Sequence, residues 1–237
     1  MKYSNKRLKI ENFTVQNIAK KYGTPAYCYS FERLKTNIIN FKKNFKSFSP
    51  LICFAVKSNT NVKIINEIKK FGLGADVVSS GELMIALKAG INPKKIVFSG
   101  VGKTSSELSY AIDKGILLIN AESQSEIKEI DKIAKIRKKK VSIGIRINPN
   151  TDAKTLKQIS TGKKENKFGV NEKTFFELVA FCKKSKNIEL KCLSVHIGSQ
   201  ILDYKPYEKM LKVVSKILNK INYRFEFIDL GGGMGIS

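Results

Sequence analysis

Short apolar runs rich in β-branched residues recur along the chain: LICFAV (51–56), ADVV (75–78), KIVFS (95–99), ILLIN (116–120), VSIGIRI (141–147), LKCLSVHI (190–197) and FEFIDL (225–230). Between them lie NVKIINEIKKFG, SGELMIALKAG, SSELSYAIDKG, SQSEIKEIDKIAKIRKKK, NEKTFFELVAFCKKS and YEKMLKVVSKILNKI. In this second set apolar residues fall at i, i+3, i+4 and i+7, the spacing of a helix with one buried face, and several segments close on Gly. Ser79 with Glu82 has the spacing of a capping box. Strands separated by helices must run parallel, because only a crossover returns the chain to the same end of the sheet. Runs apolar on both faces fit strands covered by helices.

The expected fold class is therefore α/β, a (β/α)8 TIM-type barrel rather than a doubly wound sheet, here incomplete with about seven β/α units. One long polar, Gly-containing connection, roughly Asn148 to Val170, reads as an active-site loop. Before the first unit, YGTPAYCYS (22–30) reads as an isolated strand after a short helix, belonging to something outside the barrel. The expected division is residues 1–30 as a segment of a second, β-rich domain and 31–237 as the barrel.

Composition changes this picture little. At 237 residues and 42% hydrophobic, the chain can bury one sizeable core. No apolar run reaches the length that spans a bilayer, and MKYSNKRLKIENF lacks the apolar region of a secretory signal. Cytoplasm is the expected compartment. Cys28, Cys53, Cys182 and Cys192 lie in apolar stretches without a CxxC pair, so they are expected as small buried hydrophobes rather than disulfides or metal ligands.

The formal charge of +24 raises nucleic acid as a partner. Only five of the 44 basic residues are arginine, and the lysines are spread over amphipathic helices. Phosphate recognition favours arginine forks and interleaved aromatic platforms. The one dense run, from Arg137 to Lys140, suits a helix C-terminus. No nucleic-acid or membrane partner is expected.

Enzymes on barrels of this kind work at the C-terminal ends of the strands. Those ends carry, in order, Lys57, Asp76, Ser99, Glu122, Arg146, His196 and Gly231-Gly232-Gly233. A lysine at an apolar rim is partly desolvated, which would lower its pKa and free the amine for a Schiff base with an aldehyde. The competing reading is an ordinary lysine whose stem packs and whose ammonium reaches water. DLGGGMGIS is a phosphate-cradle candidate, since successive glycines let backbone N–H groups approach an anion. It is not a P-loop, and Ile236 breaks the G-x-G-x-x-G spacing; a plain tight turn is the alternative. His196, the single histidine, could stack on a ring, shuttle a proton, or sit satisfied in the core. Ser199 could add a hydroxyl to a phosphate site.

The motifs FAVKSN, GADVVSSGEL, RINPN, ISTG....KFGV, HIGSQ and DLGGGMGI, with YGTPAYCYS before them, occur in an order that resembles the diaminopimelate decarboxylases. These are fold-type III, alanine-racemase-like decarboxylases that use pyridoxal 5′-phosphate (PLP). The resemblance covers essentially the whole chain. It implies that Lys57 is the Schiff-base lysine and that His196 stacks on the cofactor ring. Ser199, Gly231, Gly232 and Gly233 would hold the phosphate, with Asp76 and Arg146 as polar groups nearby. It implies decarboxylation of meso-2,6-diaminopimelate to L-lysine and CO2, the last step of lysine biosynthesis, with a small-molecule amino-acid substrate and a homodimer in the full-length form.

Leu156 stands where that family commonly has histidine. The resemblance also implies an eighth strand ending in Glu-Pro-Gly-Arg and a C-terminal β-domain; the chain ends at Ser237, so the barrel is expected to be truncated and turnover by this chain alone is not expected. Two other readings stay open: a related PLP-dependent decarboxylase of another basic amino acid or polyamine precursor, and a non-catalytic PLP-binding fragment.

Overall fold

The structure, a computed structural model, describes residues 2–4, 6–152, 161 and 168–236. The chain opens with a three-stranded antiparallel sheet, β1 (Lys2–Ser4), β2 (Arg7–Ile10) and β3 (Phe13–Thr14). Helix α1 (Val15–Tyr22) follows directly, with Thr14 Oγ1 accepting from Asn17 N–H at 3.2 Å as its N-cap.

The strand expected in YGTPAYCYS does not form. Residues 23–30 pair with no neighbouring strand among the described residues, and Tyr27 is 92% exposed. A strand exists only through a partner for its backbone groups, and this segment has no neighbouring strand among the described residues. Helix α2 (Phe31–Asn44), which the hydrophobic pattern had not signalled, follows this segment. Its N-cap Ser30 accepts from Arg33 N–H at 3.1 Å and donates to Glu11 Oε1 at 2.8 Å. Glu11 also accepts from Glu32 N–H, so one carboxylate joins the small sheet to the start of α2. These hydrogen bonds hold the Glu11 carboxyl below its usual pKa.

The seven apolar runs all form strands of one parallel sheet: β4 (Cys53–Ala55), β5 (Gly74–Val77), β6 (Ile96–Phe98), β7 (Leu118–Ala121), β8 (Val141–Arg146), β9 (Ile188–Ser194) and β10 (Phe227–Asp229). Order in the sheet equals order in the chain. The six helical segments form α3 (Val62–Lys70), α4 (Ser80–Lys88), α5 (Ser105–Lys114), α6 (Gln124–Ile136), α7 (Glu172–Lys184) and α8 (Lys205–Lys220). Their apolar stripes bury Ile65, Leu83, Leu108, Ile127, Ile130 and Phe175 against the sheet.

The sheet is curled. Asn120 on β7 and Asp229 on β10 are three strands apart in the ladder, yet their side chains meet at 2.7 Å. A flat sheet would hold them about 14 Å apart at ~4.8 Å per strand. Among the described residues β4 and β10 each pair on one side only, giving the unclosed, seven-stranded barrel expected from the sequence.

Local expectations fare variously. Ser79 caps α4 by accepting from Glu82 N–H at 3.2 Å, but Glu82 answers to Val78 N–H rather than to Ser79, so the box is shifted by one residue. The reciprocal box is at Thr104 and Glu107 on α5. The basic run follows the end of α6, where Arg137 and Lys139 both pair with Asp113 of α5. All four cysteines are free thiols; Cys182 and Cys192 are buried and Cys53 part-buried, whereas Cys28 is exposed, in a segment that joins neither sheet. Burial pushes the Cys53 and Cys182 thiols up to about 12. No described helix is long and apolar enough to cross a membrane.

Of the long connection, residues 148–152, Thr161 and Phe168–Val170 are described; most of ISTGKKENKFGV, and Leu156, lie outside the described residues. Its two ends are laced together where Asn148 N–H donates to Val170 O at 2.8 Å and Val170 N–H to Arg146 O at 2.9 Å.

Candidate active site

All the polar strand-end residues fall at one rim of the sheet, because parallel strands place every C-terminal end on the same side. Lys57 lies in a single 3-10 turn, Val56–Ser58, immediately after β4. Val56 is fully buried and Ser58 Oγ donates to Ala55 O at 2.7 Å, which fixes the turn and directs Lys57 away from the core. The lysine is exposed, not partly desolvated as expected, since β4 has a neighbouring strand on one side only.

Asp76, the third residue of β5, accepts from Ser99 Oγ at 2.7 Å. Burial pushes its carboxyl up to about 6, and the charge of Asp229 adds to that; Ser99 and Lys57 oppose it. His196, two residues beyond β9, accepts at Nδ1 from Gly232 N–H at 3.2 Å. Burial first, then the charges of Arg146 and Lys57, push the imidazole down to about 4, so it is neutral at pH 7. Lys57, Asp76 and His196 therefore share one electrostatic environment.

Arg146 ends β8 and forms a buried ion pair with Glu122, Nη1 to Oε1 at 2.8 Å. Its Nη2 donates to His196 O at 3.3 Å, and its guanidinium lies 4.9 Å from the centre of the Phe168 ring. Glu122 accepts in addition from Gly100 N–H and Gly169 N–H, both at 3.1 Å. Behind this pair the fully buried Lys103 ammonium meets Glu126 at 2.7 Å and the carbonyls of Gly100 and Asn120. Two linked ion pairs thus stiffen the rim between β6 and β9.

The glycine turn follows β10. Gly231 and Gly233 have φ of +69° and +86°, a left-handed region that favours glycine. A Cβ on Gly233 would lie 1.9 Å from Gly198 O, so the turn and the His196–Gln200 segment touch backbone to backbone. Above Gly232 there is open space. Tyr207 of α8 donates to Gly232 O at 2.9 Å, and Ile201 pairs with Met234 in a parallel bridge. Among the described residues, the amides of Ser199, Gly233 and Met234 and the Ser199 hydroxyl have no hydrogen-bond partner. Unpartnered N–H donors in and beside a glycine-rich turn suit an anion such as a phosphate. With a neutral imidazole and an amine at the same rim, these residues fit a phosphorylated aromatic aldehyde.

The structure brings Asp76, Arg146, His196, Ser199 and the three glycines to one rim with Lys57. Reading the strand ends missed Asp229, Asn120, Ser194 and Lys103. Asp229 Oδ2 accepts from Asn120 Nδ2 at 2.7 Å and Ser194 Oγ at 3.2 Å, and Oδ1 from Gly231 N–H at 2.8 Å. The signal was present: Asp229 in FID and Asn120 in LINA interrupt otherwise apolar strands, and such residues need an interior partner.

Known proteins resemble this chain over most of its length. The family described as pyridoxal-dependent decarboxylase, pyridoxal binding domain, matches residues 31–237. A diaminopimelate decarboxylase of Helicobacter pylori is 46% identical over 228 residues, covering 95% of this chain and 56% of that protein. A diaminopimelate decarboxylase of Aquifex aeolicus is 41% identical over 239 residues, covering 100% of this chain and 56% of that protein. The crystal structure of the Helicobacter pylori enzyme complexed with L-lysine superimposes with a TM-score of 0.91 at 44% identity, covering 93% of this chain and 57% of that one. The chain spans just over half the length of these relatives. It belongs to the pyridoxal-dependent decarboxylases, whose pyridoxal-binding domain it carries in residues 31–237.

Proposed function

We propose that this chain is the cofactor-binding barrel of a diaminopimelate decarboxylase, acting on meso-2,6-diaminopimelate to give L-lysine and CO2, with Lys57 as the residue that anchors PLP. The observation that carries the reading is the meeting, at one rim, of the Lys57 amine, the neutral His196 ring and a glycine turn with unpartnered N–H groups. Relatives at 46% and 41% identity bear the name diaminopimelate decarboxylase, and a structure of that name at 44% identity is complexed with L-lysine, the product expected of that reaction.

When bound, PLP supplies an electron sink for the carbanion left as CO2 departs. The chain's residues would orient it. Ser199 and the amides around Gly231, Gly232 and Gly233 would hold the phosphate, and His196, uncharged at neutral pH, would present a flat ring rather than a repelling cation. Arg146 would position His196 through its carbonyl, and Asp76 would face the lysine. Lys57 Nζ is the candidate carrier for the proton returned to the substrate carbon. The same reading places the protein in the cytoplasm, where its four free thiols suit a reducing compartment, and makes the full-length form a homodimer.

The exposure of Lys57 favours a second reading, cofactor binding without turnover. Incubation with PLP, borohydride trapping and peptide mapping tests the anchor. The expected result is pyridoxyl label concentrated on Lys57; label scattered over many lysines, or none, overturns it. Release of CO2 from meso-diaminopimelate then separates turnover from binding alone.

A further inference from the structure

We propose that Asp229 is a positioning residue: clamped by Asn120 and Ser194, its carboxylate sets the glycine turn so that Gly232 N–H meets His196 Nδ1 and confines the imidazole proton to Nε2. The proposal rests on the reading of His196 as the cofactor-facing ring and concerns how that ring is held.

A neutral imidazole has two tautomers, and the hydrogen bond made by one nitrogen decides which is present. Here Nδ1 accepts, from Gly232 N–H at 3.2 Å, so the proton belongs on Nε2. That amide reaches the ring only because the preceding residue turns left-handed, at φ +69°. Gly231 N–H is in turn tied to Asp229 Oδ1 at 2.8 Å. A Cβ on Gly231 would lie 2.6 Å from Val195 O and 2.7 Å from His196 Nδ1, so the turn is pressed against the histidine with little latitude.

The carboxylate cannot rotate away, because its other oxygen receives Asn120 Nδ2 at 2.7 Å and Ser194 Oγ at 3.2 Å. Asn120 adopts this orientation at a cost. Its Oδ1 is buried with no partner among the described residues, facing Gly144, where a Cβ would come within 2.2 Å. Turning the amide over would place that oxygen against the carboxylate. The arrangement needs three acceptor sites on two oxygens, which a carboxylate supplies and a hydroxyl does not. The His196 backbone is held independently, since Arg146 Nη2 and Thr161 Oγ1 both donate to its carbonyl.

The chain contains one histidine, so 15N-histidine labelling reports this imidazole alone. At neutral pH the wild-type chain is expected to show a pyridine-like Nδ1 and a pyrrole-like Nε2. In Asp229→Ala the two signals are expected to move toward the averaged position of interconverting tautomers. Asp229→Asn, which keeps one oxygen for Gly231 but turns an NH2 donor toward Asn120, is expected to shift them in the same direction and by less than Asp229→Ala. An unchanged pattern in Asp229→Ala, or a wild-type chain with the proton on Nδ1, overturns the proposal. Should Asp229→Ala not fold, Asn120→Ala, which releases the carboxylate, must shift the signals in the same direction; an unchanged spectrum there overturns it equally. No cofactor is needed for this readout. Its failure is thus distinguishable from failure to label Lys57.

Discussion

Arg146 and Glu122 meet at 2.8 Å inside the rim, and each also holds a different loop: the arginine takes the carbonyl of His196, the glutamate the amides of Gly100 and Gly169. Removing one partner strands the other charge in a buried position. Glu122→Ala is expected to lower stability by about 3–5 kcal/mol, and Glu122→Gln, which keeps acceptor capacity, by about 1–3 kcal/mol. Urea unfolding measures both. A double variant Arg146→Met/Glu122→Leu should cost clearly less than the two single losses added together.

Asp76 and His196 make opposite contributions to the pH dependence of stability. The Asp76 carboxyl is raised from 3.8 to about 6, so the folded state binds the extra proton; its contribution is full below pH 4 and fades as pH rises to 6. The His196 imidazole is lowered from 6.5 to about 4; its contribution is full above pH 6.5 and fades as pH falls to 4. Between pH 4 and 6 the two slopes oppose each other. Relative to wild type, Asp76→Asn should therefore gain stability as pH rises through that window, by on the order of 2–3 kcal/mol, and His196→Gln should lose it. Denaturant melts at pH 4, 5 and 6 give both slopes. Parallel slopes in the two variants would contradict the assignment.

Adjacent glycines in the turn should fail in different ways. Gly232→Ala adds a methyl group into open space and should fold with little change in melting temperature, yet weaken PLP binding by narrowing the cradle. Gly233→Ala must adopt φ +86° and push against Gly198 O, so it should destabilise the fold itself, by about 1–3 kcal/mol from the backbone strain alone. Thermal melts with and without PLP separate the two.

Thiol chemistry should report the packing directly. Cys28 is exposed, while Cys182 and Cys192 are buried and burial raises the Cys53 thiol to about 12. A disulfide exchange reagent at pH 8 should modify Cys28 rapidly and the other three only on unfolding. Fast reaction at Cys182 or Cys192 would mean that the sheet–helix layer opens in solution.

The sheet and its helices were legible because parallel strands buried on both faces leave a simple trace, apolar runs punctuated by helical stripes. Phe31–Asn44 escaped that test: its lysines and asparagines dilute the stripe, and a single residue, Ile38, is buried. The strand expected around Tyr27 failed because pairing is a property of a neighbour, which a segment's own composition cannot supply. In the candidate site, residues at strand ends were found by position. Asp229 and Asn120 were not, since their importance arises from curling a sheet until β7 and β10 touch. The exposure of Lys57 depends likewise on what stands beside β4.

Strand order in this sheet is the order of synthesis. Each strand emerging from the ribosome can add to the one made just before it, so the ladder grows by short loop closures and never waits for a distant partner. The exception is the Asp229 carboxylate, whose contact with Asn120 spans 109 residues. β10 brings the carboxylate that anchors the glycine turn, whereas Asn120, Ser194, His196 and Tyr207, against which carboxylate and turn are held, are all made earlier. A chain interrupted before Asp229 would therefore carry Lys57 and His196 with no glycine turn beside the imidazole.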